Sequence, residues 1–346
     1  MSPVSKTESP VSKTESPVSK PAAPQVLLLV GAVALLALVC GLSLALGARA
    51  IPPGDVWRAL TDPSGADTDL TIREIRVPRT ILAICVGAAL ATAGALTQTL
   101  TRNPLAEPGL LGITSGAGFA VTVGTTTGLT GNQGVQVSLA LVGALIAGVL
   151  VYAVGRTSPL RLVLAGVALA SVLTGVSMSL RILDPDAFDH YRFWSVGSLA
   201  GREQAPLLLP VLLILLALVG ASALTGALNT LALGEDVAHG LGARVNRTRV
   251  AVLAVVTLLA GTATAVAGPI AFLGLMVPHI VRRAAGGSVP WLLAYSALLG
   301  PILLLASDIT GRLLLPTGEV PVAVVTAFFG APVLIWAVRR YEGTTL

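Results

Sequence analysis

Three arginines recur every third residue in Thr71-Ile-Arg-Glu-Ile-Arg-Val-Pro-Arg79, at Arg73, Arg76 and Arg79, and a fourth, Arg312, stands one helical turn beyond Asp308. Cations so placed beside apolar runs can do one of two things. Their stems can lie on apolar surface while the charged heads reach lipid headgroups, or together they can form a positive patch that captures an acidic partner. Arg312 can join that patch, or it can close a local ion pair with Asp308 that neutralises two costly membrane charges. Catalytic chemistry finds no footing. His190, His239 and His279 lack the spacing of a metal site, and neither Gly-x-Ser-x-Gly nor His-Glu-x-x-His occurs. All three lysines, Lys6, Lys13 and Lys20, lie in the first twenty residues, so there is no Walker A lysine. Any nucleotide hydrolysis therefore belongs to another chain, and no cofactor is expected on this one. Cys40 and Cys85 both sit in apolar runs and read as small buried hydrophobes.

The elements that must position these residues follow from composition. Of 346 residues, 54% are hydrophobic and only 11% charged, which excludes ordinary soluble folds and requires a bilayer. The 37 glycines and 22 prolines suit closely packed, interrupted membrane helices. A crossing takes about 20 apolar residues. Apolar runs fall at 26–46, 80–100, 110–128, 135–154, 162–180, 205–223, 249–267, 269–280, 291–305 and 320–338. The chain is thus expected to be an all-α polytopic membrane protein with about ten transmembrane helices, lipid being its surroundings and nucleic acid no partner. The run at 269–280 is too short to cross alone unless it is tilted or extended through Arg283. Residues 1–24 carry two copies of Ser-Pro-Val-Ser-Lys-Thr-Glu and the start of a third, which predicts a disordered tail. Residues 25–342 then form one membrane domain.

Ten spans with a cytoplasmic N-terminus put ten of the nineteen arginines and all three lysines inside, and eleven of the seventeen acids outside. Both termini would be cytoplasmic. The segment from Thr101 to Gly112 reads as a tight cytoplasmic turn, and the glycine pairs Gly112/Gly116 and Gly124/Gly128 permit close helix contact. The longest cytoplasmic loop, 228–250, is predicted to carry a short helix beginning near Glu235, with acids in its first turn and Gly240 and Gly242 ending it. It reads either as an interfacial helix or as a knob that docks on a cytosolic motor subunit.

Five segments, in order, carry a resemblance. They are Arg76-Val-Pro-Arg-Thr with Val86-Gly-Ala-Ala-Leu-Ala and Gly94-Ala-Leu-Thr-Gln; Arg102-Asn-Pro-Leu-Ala-Glu-Pro-Gly-Leu-Leu-Gly; Leu231-Ala-Leu-Gly-Glu-Asp-Val-Ala with Gly240-Leu-Gly; Ala267-Gly-Pro-Ile-Ala-Phe-Leu-Gly-Leu-Met-Val-Pro-His-Ile-Val-Arg282; and Glu319-Val-Pro-Val-Ala-Val-Val-Thr-Ala with Gly330-Ala-Pro-Val. Together they resemble the FecCD family, the iron-siderophore and cobalamin permeases of bacterial ATP-binding-cassette importers. The resemblance implies the type II importer permease fold and a bacterial cytoplasmic membrane. It also implies a second permease subunit, two cytosolic ATP-binding subunits that carry ATP and Mg, and an extracytoplasmic substrate-binding lipoprotein or periplasmic protein. By the same resemblance, Arg76, Arg79 and Arg312 meet acids of the binding protein. Leu233, Gly234, Glu235, Asp236, Gly240 and Gly242 match the coupling helices, and Asn103 and Leu105 match a cytoplasmic gate. A second gate, formed by paired hydroxyls before the fifth span, has Pro159 and Leu160 in its register here, with Thr157 and Ser158 displaced, and stays unassigned.

The mechanism implied is alternating access driven by ATP on partner subunits, with a ferric siderophore as the expected cargo and haem or cobalamin as alternatives. A gradient-driven transporter would show acids or histidines in mid-membrane. Only Asp308 lies near a span centre, beside Arg312.

Overall fold

The computed structural model describes residues 23–155, 158–202, 206–232 and 234–341, and among these every regular element is helical. The repeats of the predicted tail and Leu233 lie outside the described residues. The first third contains α1 (Ala23–Ala45), α2 (Pro53–Thr61), α3 (Asp67–Leu70), a π-helical turn (Thr71–Arg76) and α4 (Val77–Thr101). A 3-10 turn (Pro108–Leu111) precedes α5 (Ile113–Thr126), α6 (Gln133–Gly155), α7 (Pro159–Leu183) and α8 (Pro185–Ser195). The chain continues through α9 (Leu208–Ala223), α10 (Thr225–Ala232), α11 (Glu235–Gly240), α12 (Val245–Ala267), α13 (Leu273–Ala285), α14 (Val289–Leu313) and α15 (Val322–Tyr341).

Each of the ten expected apolar runs lies on a helix: α1, α4, α5, α6, α7, α9, α12, α13, α14 and α15. Six are long and apolar enough to cross by themselves, and α9 with α10, bent by 51°, makes a seventh. By contrast α5 has 14 residues and α13 only 13, too few for about 30 Å of hydrocarbon. Both are completed by irregular backbone that enters the bundle before them. Such backbone is tolerated at membrane depth only where protein surrounds it.

Burial ranks the helices. Over its most apolar stretch α4 is 89% buried and α12 72%, against 11% for α1 and 17% for α7. The centre is therefore α4, with α12, α13 and α14 packed around it. Its sequence explains the position: Ala88, Ala89, Ala91, Ala93 and Ala95 leave little side chain between backbones. In lipid, helices associate through close van der Waals contact rather than a hydrophobic drive, so small residues win the central place. A methyl group on Gly94 would strike the carbonyl of Gly274 in α13, and one on Gly87 would meet the backbone of Pro301 in α14 at 2.6 Å.

The stretch 51–76, whose helical content the apolar runs did not predict, is largely folded. Val56 and Ala59 of α2 pack with Ile51 and Ile72 in a small separate core, while Trp57 points outward. This is an amphipathic cap, with an exposed tryptophan suited to a membrane–water interface. The other added element, α8, starts at Pro185, with Asp184 accepting from the backbone N–H groups of Asp186 (3.0 Å) and Ala187 (3.2 Å).

Candidate functional site

At the acid-rich end, the π-helical turn runs without interruption into α4, so Arg76 and Arg79 enter the bundle rather than lying on a loop. Both are buried, as is Arg312, at 6%, 7% and 5% exposure, while Arg73 is exposed. Arg79 donates through Nη2 to Asp308 Oδ1 at 2.7 Å and through Nε to both Asp308 oxygens at 3.1–3.2 Å. The same Nη2 reaches Glu319 Oε2 at 2.7 Å. Arg312 pairs with Asp308 Oδ2 at 3.1 Å, as its one-turn spacing allows, and donates to the Ser43 hydroxyl and to the carbonyls of Ser43 and Leu46. Ser43 also hydrogen-bonds Thr80 at 2.9 Å. Arg76 donates to the carbonyls of Leu44 and Arg49.

The three expected arginines are thus brought together in one polar knot that ties α1, α4, α14 and the start of the α15 segment. Two of the three guanidiniums pair with two carboxylates and Arg76 is held by backbone carbonyls, so the knot keeps an excess of positive charge. Its carboxylates differ in access, since the side chain of Asp308 is 2% exposed and that of Glu319 32%. Breaking a buried pair strands the partner charge and costs about 3–5 kcal/mol, so Arg79 holds the fold whatever else it does. Nothing local to Glu319 or Ser43 in the sequence announces Arg79 or Arg312 as its partner.

At the arginine-rich end, α11 occupies the predicted place, Glu235–Gly240, and backbone geometry explains its ends. Gly234 precedes it at φ +123° and Gly242 follows at φ +77°, both conformations that favour glycine. The loop 228–250 is therefore mostly helical, with α10 and the start of α12 flanking α11. Asn103 and Leu105 are exposed, and Asn103 Oδ1 accepts from Leu105 N–H at 2.9 Å, which rigidifies that turn.

The segment after Asn103 departs from the tight cytoplasmic turn expected of it. It folds back among the helices, so that a methyl on Gly166, seven residues into α7, would collide with the carbonyl of Leu110. This brings Glu107 to the broken entry of α13, where its Oε1 accepts from Phe272 N–H at 3.1 Å. Phe272 itself holds φ +68°, a strained value for a non-glycine residue. The carboxylate answers an orphan donor at a helix N-terminus. Asp308 is therefore not the one acid within the bundle. Glu107 escaped notice because it sits between two prolines' worth of turn signal rather than inside an apolar run. A cavity of about 280 Å³ opens beside it, lined also by Thr114, Ser115 and Thr264.

A multi-pass helical bundle with interrupted spans and a polar knot at one end defines a class, the membrane transport permeases. The chain belongs to the FecCD transport family, whose profile matches residues 35–340. It is 44% identical over 315 residues to the ferric enterobactin transport system permease protein FepD of Escherichia coli (strain K12), covering 90% of this chain and 94% of that protein. It is 37% identical over 319 residues to the vitamin B12 import system permease protein BtuC of Serratia proteamaculans (strain 568), covering 89% and 93%. A solved metal-chelate type ABC transporter in an inward-facing conformation superposes with a TM-score of 0.78 at 26% identity, over 92% of this chain and 99% of that one. The all-helical permease architecture expected from the sequence is thereby borne out.

Proposed function

We propose that this chain is the permease subunit of an ATP-driven importer that carries a ferric siderophore across the bacterial cytoplasmic membrane, with both termini in the cytoplasm. The observation that carries the reading is the family match over nearly the whole membrane domain, joined to 44% identity with a permease named for ferric enterobactin. The assembly would contain a second permease subunit, two ATP-binding subunits that hold ATP and Mg, and an extracytoplasmic binding protein. No cofactor would reside on this chain. The α11 knob with Gly234, Glu235, Asp236, Gly240 and Gly242 would transmit the motion of the ATPases, the neighbouring Leu233 included. Asn103 and Leu105 would gate the cytoplasmic mouth.

Docking of the binding protein is proposed at the polar knot. Arg76, Arg79 and Arg312 supply its excess positive charge, and an incoming acid would exchange with Glu319, the more accessible of the two carboxylates. The permease then alternates its opening between the two sides as the motor subunits close and separate.

Uptake of labelled ferric siderophores, haem and cobalamin by a strain lacking the chain, compared with the complemented strain with and without ATP depletion, tests the reading. Selective, ATP-dependent loss of ferric siderophore uptake is expected. Loss of cobalamin or haem uptake instead would reassign the cargo, and loss independent of ATP would remove the ABC mechanism.

A further inference from the structure

A cavity of about 370 Å³ lies at the arginine-rich end, where the last turns of α4 and α13 meet the first turn of α14. Arg102 and Arg282 both line it, and no acidic side chain does. Arg282 Nη2 donates to Gln98 Oε1 at 2.6 Å, whereas its buried Nε has no partner among the described residues. Arg102 spends one donor on the carbonyl of Leu231 at 3.2 Å. Neither guanidinium has a carboxylate within ion-pair distance among the described residues. Backbone strain places one of them, because Arg102 closes α4 in the left-handed region at φ +50°.

The third positive feature is the N-terminus of α14, a helix of 25 residues, which acts through its dipole, since Val289 N–H donates to Asn229 Oδ1 at 3.0 Å and Pro290 has no N–H. Its cap residue Ser288 lines the cavity and leaves its hydroxyl unspent on capping. Two guanidiniums and the Ser288 hydroxyl converge on one space at the positive end of a helix dipole, a donor set that an anionic phosphate takes up. The remaining wall is apolar, with Pro104, Ala285, Val289 and Leu292. A free phosphate ion has no use for that wall, but a glycerophospholipid does. The cavity also lies at the ends of membrane helices, the depth at which headgroups reside.

We propose that this cavity binds the phosphodiester headgroup of an anionic phospholipid, with Arg102 and Arg282 holding the phosphate and the apolar wall receiving the first part of the acyl chains. The site requires only that the chain sits in a bilayer, and it stands independently of the cargo and of the transport mechanism. By holding α4, α13 and the α10 carbonyl from one point, a bound lipid would clamp the helices that flank the coupling segment.

The test is native mass spectrometry of the delipidated full-length chain, titrated with phosphatidylglycerol, phosphatidylcholine or inorganic phosphate. Phosphatidylglycerol should bind in preference to phosphatidylcholine, and Arg102→Gln with Arg282→Gln should weaken it on the order of tenfold. Arg283→Gln, on the same turn but outside the cavity, should change it less than about twofold. Arg282→Lys keeps the charge and should retain most of the binding, which a collapsed cavity would not do. Equal phosphatidylglycerol binding by wild type and the double variant would overturn the proposal. So would displacement by millimolar inorganic phosphate alone, which would make the occupant a free anion, or exclusion of the lipid when an ATPase subunit binds, which would make it a protein carboxylate.

Discussion

At the scale of single residues, the polar knot separates charges that hold the fold from charges that remain free to exchange. Arg79→Ala leaves Asp308 with one guanidinium fewer and is expected to cost about 3 kcal/mol of unfolding stability in detergent. Glu319→Gln, at a far more solvated carboxylate, should cost less than about 1 kcal/mol. Equal losses in the two variants would contradict the assignment of Arg79 as the buried anchor. Glu319→Gln should also tighten capture of the loaded binding protein, measured by surface immobilisation, because it removes the acid that competes for Arg79. Unchanged or weaker capture would argue against exchange at the knot.

A further carboxylate, on α3 ahead of the apolar run at 80–100, gives a dependence on pH. Asp69 is held below the usual carboxylate range first by the Ser64 hydroxyl (2.9 Å), and also by the N–H groups of Ser64 (2.6 Å) and Gly65 (3.1 Å). Its folded pKa is depressed, so its contribution is present above the ordinary value of about 3.9 and is lost as pH falls below it towards the folded value. The protection of the Ser64 and Gly65 amides, taken as the ratio of intrinsic to observed exchange rate, should therefore hold down to about pH 4 and fall below it. In Asp69→Asn the protection should be low throughout. Protection that does not change across that range in the wild type would contradict the assignment.

At the scale of elements, close backbone contact decides how the central helices pack. Gly94→Ala forces α4 away from the Gly274 carbonyl and should destabilise the bundle by about 1–3 kcal/mol, read as a lower thermal midpoint in detergent. Gly175→Ala on α7, where an added methyl meets nothing within 4 Å, is the matched control and should be neutral. Similar midpoints for the two variants would remove close approach as the reason for the α4 glycines. The proposed coupling knob makes a different demand. Gly234→Ala puts a side chain at φ +123°, so α11 should shift while the spans stay folded. Transport should fall more than ATP hydrolysis in the assembled importer. A parallel fall in both would place Gly234 in general stability rather than coupling.

For the whole molecule, the asymmetry of charge and the interruption of the spans belong together. A bundle of uniformly long helices has no weak points, whereas α13 begins at a strained Phe272 held by Glu107, next to a cavity and beside α4, the most deeply buried span. Motion between inward and outward states is expected to concentrate at such joints, where few backbone hydrogen bonds must be broken. Cysteine labelling from each side of the membrane checks the orientation. Residues in loop 234–244 should react only from the cytoplasm, and those in 62–66 only from outside. The reverse pattern would invert the proposed topology.

Length, composition and the placement of apolar runs determined the all-helical membrane class, a helix at each of the ten apolar runs and the position of α11, because hydropathy and glycine conformation act locally and can be read in sequence order. The Arg312–Asp308 pair was legible for the same reason, being one turn apart. The shared role of Arg79 was not, since Asp308 and Glu319 lie 229 and 240 residues away along the chain. Nor could a linear reading show that the 102–112 segment turns inward, that Glu107 caps α13, or that Arg102 and Arg282 face one cavity. Each depends on how three or more helices pack around α4, and in a bilayer that packing is set by contacts between distant small residues rather than by any local pattern.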